Sequence, residues 1–357
     1  MKIKLLVFTL ILIFIFSGCS FNIENTKEAE NEFSNSLTET IVETSSIETT
    51  TKKENKSITF SFLGDCMIAS LKGKIEPNNM NWYLDNYDFS YFFEKTMPYI
   101  SNDDFTIANC ENVFTDTATK EITKNHSPAY WYRSSSKNAN IFSKNSIDAV
   151  SIANNHINDY GNQGKHDTIN ALDKANVLWG NEENIIVLEK HGIKFGIIPV
   201  TFYSSWYVDS IVELINSVEE YTDIQIIYFH GGTERIHKPE NWKIEGCRKF
   251  VDEGADLILG SHPHVLQPLE KYNNVNIVYS LGNFCYGGNR SPENRTIIYQ
   301  HTFTFDTNKN LISSTENIIP FYVFTGSTNN WQPAPIEDEN IKKSVLDFMY
   351  EKINSLF

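Results

Sequence analysis

Only five cysteines occur in 357 residues, and no two of them form a CxxC pair. That excludes a zinc ribbon and a disulfide framework. Positive charge is scarce as well: 30 Lys and Arg stand against 45 Asp and Glu, a formal charge of −15. Bare nucleic acid is recognised by a basic face, so no nucleic-acid partner is expected. Composition offers nothing for a collagen-like, coiled-coil or multi-span membrane architecture, and no internal repeat runs through the chain. Apolar residues, by contrast, make up 41% and aromatics 13%, enough for a large core.

The one long apolar run is at the start. Lys2 and Lys4 precede residues 5–16, twelve apolar or near-apolar positions, and Ser17-Gly18-Cys19 follows at once. The run is too short for a comfortable bilayer span and suits a signal h-region. Small residues before a cysteine read as a bacterial lipobox, so residues 1–19 are expected to be a lipoprotein signal with Cys19 as the lipidated thiol. Acyl chains contribute about 0.8 kcal/mol per buried CH₂, which makes more than one of them a durable anchor. Residues 20–57 follow as an expected disordered tether: thirteen of 38 are Ser or Thr, eight are Glu, and none is Gly or Pro. Residues 58–357 carry 24 basic and 37 acidic residues, a formal −13, and are read as one domain. Such a globule is not drawn to anionic lipid, so attachment to the membrane would fall to the acyl group. Cys66, Cys110, Cys247 and Cys285 are widely spaced and read as buried free thiols.

From Ile58 onward, short β-branched runs alternate with helical stretches. Residues 58–63, 105–108, 147–153, 195–200, 224–229, 256–259 and 276–280 read as strands. Residues 89–100, 135–144, 164–175, 209–220 and 240–253 read as helices. This alternation predicts an α/β fold with much parallel pairing. Residues 296–305 and 311–323 read as later antiparallel strands, and 340–356 as a closing helix.

Five apolar runs end in polar clusters: Gly64-Asp65, Asn109-Cys110-Glu111, Asn154-Asn155-His156, His230, and Ser261-His262-Pro263-His264. In parallel α/β sheets, sites form beyond the carboxyl ends of strands. Asp65, Glu111, Asn155, His230, His262 and His264 are therefore the candidate ligands of a divalent metal, one or two ions of Mn, Zn or Fe. Paired cations can activate a hydroxide and clamp an in-line displacement at phosphorus. His156 could hand a proton to a leaving group. Asp159 strengthens the functional reading of His156. Glu234 reads either as a solvated loop charge or as an orienting group beside the site. Asn283 reads as a turn residue, and His126, His166, His191, His237 and His301 as surface or structural.

The motifs Leu63-Gly64-Asp65, Asn109-Cys110-Glu111, Ala153-Asn154-Asn155-His156 with Asp159-Tyr160-Gly161, His230-Gly231-Gly232-Thr233-Glu234, Gly260-Ser261-His262-Pro263-His264 and Ser280-Leu281-Gly282-Asn283-Phe284 occur in this order. In them the sequence resembles the CapA, or poly-γ-glutamate capsule-synthesis, family of the calcineurin-like metallophosphatase superfamily. The resemblance implies a four-layer α/β-β/α sandwich with two mixed sheets and flanking helices. It implies that Asp65 binds one metal, that Glu111 bridges, that Asn155, His230 and His262 bind a second, and that His264 returns to the first. His156 would be the acid. Met67 stands where the superfamily has a His, and Glu111 where it has an Asp. One missing ligand weakens the first position and a longer carboxylate alters the intermetal geometry, so two ions, one or none remain open.

Two functions follow as expectations. The first is a lipid-anchored factor on the extracellular face of the cell membrane, serving poly-γ-glutamate synthesis or export. Its partners would be an anionic polymer or cell-envelope substrate and membrane-bound capsule synthesis proteins. The second is a metal-dependent hydrolase, phosphoesterase-like, acting on a cell-envelope substrate. A weaker third is a binding module for cell-wall fragments.

Overall fold

The computed structural model describes residues 54–287 and 294–351. The expected signal, Cys19 and nearly all of the expected tether lie outside the described residues. Among the described residues no helix is long and apolar enough to cross a membrane. The first strand, Lys56–Cys66, begins two residues before the expected domain boundary, because Lys56 and Ser57 already pair with Phe305 and Thr304.

That strand is central in a seven-stranded mixed sheet. On one side it runs parallel to Phe105–Cys110, then Ala149–Ser151 and Leu178–Gly180. On the other side Arg295–Phe305, Leu311–Tyr322 and Ala334–Pro335 are antiparallel. A second, six-stranded sheet has the parallel strands Ile193–Thr201, Ile224–His230, Leu257–Ser261 and Val275–Leu281 at its centre. Antiparallel Ile186–Lys190 and Leu266–Tyr272 close its two edges.

Three apolar layers hold these sheets. Between them lie Phe60, Phe62, Phe195, Tyr228 and Phe303, with the Phe60 and Phe195 rings 4.8 Å apart. The outer face of the first sheet is covered through Phe92, Phe93, Phe142 and Leu172. The outer face of the second is covered by helices Val208–Glu219 and Asn241–Asp252, through Ile211, Ile215, Cys247 and Phe250. Ile211, Ile215 and Val218 recur at the spacing that puts one stripe of a helix against a sheet. Helix, sheet, sheet and helix give the four-layer α/β sandwich with two mixed sheets. Cys66, Cys110, Cys247 and Cys285 are free and buried.

Several expected elements differ. The helix expected over 89–100 is two single turns, Ser90–Phe93 and Met97–Ile100. Pro98 lacks the N–H that a continuous helix would need there. The segment 135–144 opens as a 3₁₀ turn, Ser136–Ala139, before Asn140–Ser143. The last helix, Glu339–Met349, starts on the Asp338 side-chain cap, and Tyr350 and Glu351 already lie beyond its end. The edge strand Leu266–Tyr272 holds Pro268, a residue that breaks the sequence signal yet is tolerated where one side of a strand is unpaired.

Candidate metal centre

The parallel strands of both sheets end at one rim, and the site is built on those ends. Asp65 joins the two sheets: its N–H donates to the Gly282 carbonyl at 3.0 Å, and its own carbonyl accepts from Phe284 N–H at 2.8 Å. Gly64 makes this approach possible, since a Cβ there would lie 1.9 Å from the Gly282 oxygen. The Asp65 carboxylate accepts from Asn109 Nδ2 at 2.8 Å and from the His262 backbone N–H at 3.1 Å.

The structure brings Asp65, Glu111, Asn155, His230, His262 and His264 together around this carboxylate. His230 Nδ1 is 3.6 Å from Asp65 Oδ1, and His264 Nδ1 is 3.3 Å from Oδ2. Asn155 Oδ1 lies 2.9 Å from His230 Nε2, and His262 Nδ1 lies 3.0 Å from that same nitrogen. His262 and His264 both adopt positive φ, +96° and +58°. Non-glycine residues in that region store strain of order 1–3 kcal/mol, and such strain gathers at functional sites. Here it turns both rings into one cleft, 5.7 Å apart.

Electrostatics divide the donors. Burial acts to raise the Asp65 carboxyl, but hydrogen bonds and charge from His230 and His264 outweigh it and hold the group far below the usual carboxylate range. Burial, and then the Asp65 charge, push Glu111 well above its ordinary value. Burial opposes a proton on His264, yet Glu111 and Asp65 prevail and its pKa is pushed up to about 9. Burial first, then His230 and His264, push His262 down to about 2, and burial lowers His230. Two neutral imidazoles therefore present lone pairs beside the ionised Asp65 carboxylate and the Glu111 carboxyl group.

Glu111 is the test of whether a cation fits. It is fully buried, and neither carboxylate oxygen has a hydrogen-bond partner among the described residues. Nitrogens of His230, His264 and His156 stand 3.6, 3.8 and 4.0 Å from Oε1, too far for hydrogen bonds. An unpartnered buried carboxylate is costly, which is why burial pushes Glu111 towards its protonated form, and a bound cation would remove that cost from the ionised form. Glu111, His230 and His262 offer ligand atoms all within 4.8 Å of one another, and so do Asp65, Glu111 and His264. Oxygen and imidazole donors of this kind suit a divalent cation. Met67, two residues after Asp65, is buried and carries a thioether. It lines a cleft of about 300 Å³ with Tyr132, Tyr286 and Trp331.

His156 sits at the edge of the cluster. Its Nδ1 is 2.8 Å from Asp159 Oδ2, and Lys124 Nζ pairs with Asp159 Oδ1 at 2.6 Å. Burial lowers the His156 pKa against the pull of Asp159, so Nδ1 donates to Asp159 and Nε2 faces Glu111 as an acceptor. Glu234 is exposed, with a carboxylate oxygen near ring nitrogens of His262 and His264.

Sequence reasoning missed several supports. Asn109 bridges Asp65 and His230 Nδ1, the latter at 3.1 Å, and Asn154 Nδ2 donates to Asn109 Oδ1 at 3.1 Å. Asn283, expected only to shape a turn, places Oδ1 2.9 Å from His264 Nδ1. Tyr203 stands edge-on to His262 at 5.1 Å, with a buried hydroxyl that has no partner among the described residues. Its position two residues past a strand end was the one signal that could have flagged it.

Comparison with known proteins adds relatives. The family model described as "Bacterial capsule synthesis protein PGA_cap" matches residues 59–287. The "Capsule biosynthesis protein CapA" of Bacillus anthracis is 26% identical over 283 residues, which is 69% of this chain and 64% of that protein, so slightly under two thirds of the relative is spanned. The "PGA biosynthesis protein CapA" of Bacillus subtilis (strain 168) is 24% identical over 315 residues, 80% of this chain and 76% of that one. Among solved structures, a hypothetical protein from Thermus thermophilus aligns at 13% identity and a TM-score of 0.46, over 74% of this chain and 99% of that chain.

Proposed function

The chain belongs to the bacterial capsule synthesis family PGA_cap, and we propose that it serves poly-γ-glutamate synthesis or export as a lipid-anchored factor on the extracellular face of the membrane. The observation that carries this reading is the joint one: a member of that family whose buried Glu111 has no hydrogen-bond partner among the described residues and lies amid three imidazoles. A divalent cation held by Asp65, Glu111, Asn155, His230, His262 and His264 would supply a local positive point that fixes the anionic oxygens of a polymer. The residues do the rest. Asn109 and Asn283 orient the His230 and His264 rings, and the cleft bounded by Tyr132 and Tyr286 gives the chain of a ligand room beside the centre. Cys19 would hold the globule at the membrane, near membrane-bound capsule synthesis proteins.

In the producing cell, deleting the gene should abolish or sharply reduce released and surface polymer. The wild-type gene should restore it, and Asp65→Ala or Glu111→Ala should not. Unchanged polymer after deletion would end this reading.

A second reading, a metal-dependent hydrolase on an envelope substrate, is favoured by His156. Its Nδ1 is fixed by Asp159 while Nε2 faces the cluster, which is how a side chain is held to move a proton. Protein loaded with Mn²⁺ or Zn²⁺ is assayed against a phosphodiester panel. Turnover that falls at least ~100-fold in His156→Ala supports hydrolysis, and no turnover on any member removes it.

A further inference from the structure

The centre described above leaves one carboxylate unused. We propose that Glu234, His262 and His264 form an outer divalent-cation position, suited to zinc, at the mouth of the cleft and separate from the inner positions around Glu111. The inference rests on the metal-centre reading above and extends it.

Three observations carry it. A carboxylate oxygen of Glu234 and one ring nitrogen each of His262 and His264 lie within 4.8 Å of one another. Two imidazoles and one carboxylate are also the three protein ligands of a class of catalytic zinc sites, which leave a fourth place open to solvent or substrate. The second observation is that Glu234, though exposed, is not loosely held. Thr233 N–H on one side donates to Glu240 Oε1 at 2.6 Å, and Arg235 N–H on the other donates to the carbonyl of Pro263, between the two histidines, at 2.7 Å. The backbone on both sides of Glu234 is thus tied, on one side directly to the His262-Pro263-His264 turn. The third is a contrast in burial. Glu111 is closed to solvent while Glu234 is open to it, so the outer position is the one an incoming ion or ligand meets.

The outer set shares His262 with the Glu111–His230 set and His264 with the Asp65–Glu111 set. Inner and outer occupancy therefore compete for the same rings. With Met67 in the place of a histidine, the inner Asp65–Glu111–His264 set has no fourth protein donor at that place, and this weakens its hold on the shared ring.

Purified full-length protein is titrated with Zn²⁺, with Co²⁺ visible absorption as a second readout of imidazole ligation. Glu111→Gln disables the inner positions, keeps the side-chain volume, and should still bind one Zn²⁺. Adding Glu234→Gln should weaken that ion at least ~100-fold, the upper end of what loss of a metal's outer support costs. Glu234 is exposed, so its substitution should leave the fold intact, which circular dichroism checks. Equal binding by Glu111→Gln and the double variant overturns the outer position. So does loss of all binding in Glu111→Gln while the wild type binds, and in that case the inner centre stands. A wild-type protein that takes up no Zn²⁺ or Co²⁺ overturns both.

Discussion

His301 shows what a core position asks of one titratable side chain. It is almost fully buried on the face of its strand shared by Tyr299 and Phe303, with its ring 4.5 Å from that of Phe303. Nδ1 meets the Tyr299 hydroxyl at 3.1 Å, and Nε2 has no partner among the described residues. Burial first, and then the charge of Lys271, push its pKa down to about 4. Between about pH 6.5 and that value the unfolded chain takes up a proton that the folded chain refuses, so stability falls as pH drops through the window. Above pH 6.5 both states are neutral and the effect vanishes. At pH 5 the cost is about 2 kcal/mol. His301→Phe should therefore lose less stability than the wild type on going from pH 7.5 to pH 5, by about that amount, in urea denaturation at the two values. Equal losses would show that this ring is not the group responsible. Nothing in the sequence separated His301 from the candidate ligand histidines except motif context: one sits mid-strand, the others at strand ends.

Strand ends decide the site, and glycines decide how closely those ends approach. Gly64 faces the Gly282 backbone, a neighbour that has no flexible side-chain end to move aside. Gly64→Ala should force Asp65 away from Gly282 and His262, costing ~3 kcal/mol or more, in the range of severe overpacking. Urea midpoints read the loss, and Zn²⁺ affinity should fall with it. An alanine variant of wild-type stability and affinity would mean the seam between the sheets is loose. The parallel strands carrying this seam were legible because they are dense β-branched runs buried on both faces. The turns over 90–100 and the edge strands Ile186–Lys190 and Leu266–Tyr272 were not. Single turns are too short to show a period, and edge strands mix charge and proline with apolar residues.

Across the whole molecule, charge sets the terms for any anionic partner. Residues 58–357 carry a formal −13, so a γ-glutamyl oligomer approaches against repulsion. Screening shortens from about 30 Å at 0.01 M salt to about 8 Å at 0.15 M. Fluorescence anisotropy of a labelled oligomer should therefore show metal-free protein binding more tightly as salt rises, and Zn²⁺ should strengthen binding at every salt. Binding that weakens with salt in the metal-free protein would mean a local positive surface outweighs the global charge. Composition, the order of elements and the residue types at five strand ends belong to the chain alone, because hydrophobic periodicity and donor chemistry are local properties. Which donors converge, the turn that aims His262 and His264 into one cleft, and the lack of a hydrogen-bond partner for Glu111 among the described residues were decided only in three dimensions. Distances among residues up to two hundred positions apart depend on how two sheets meet, and no local pattern encodes that meeting.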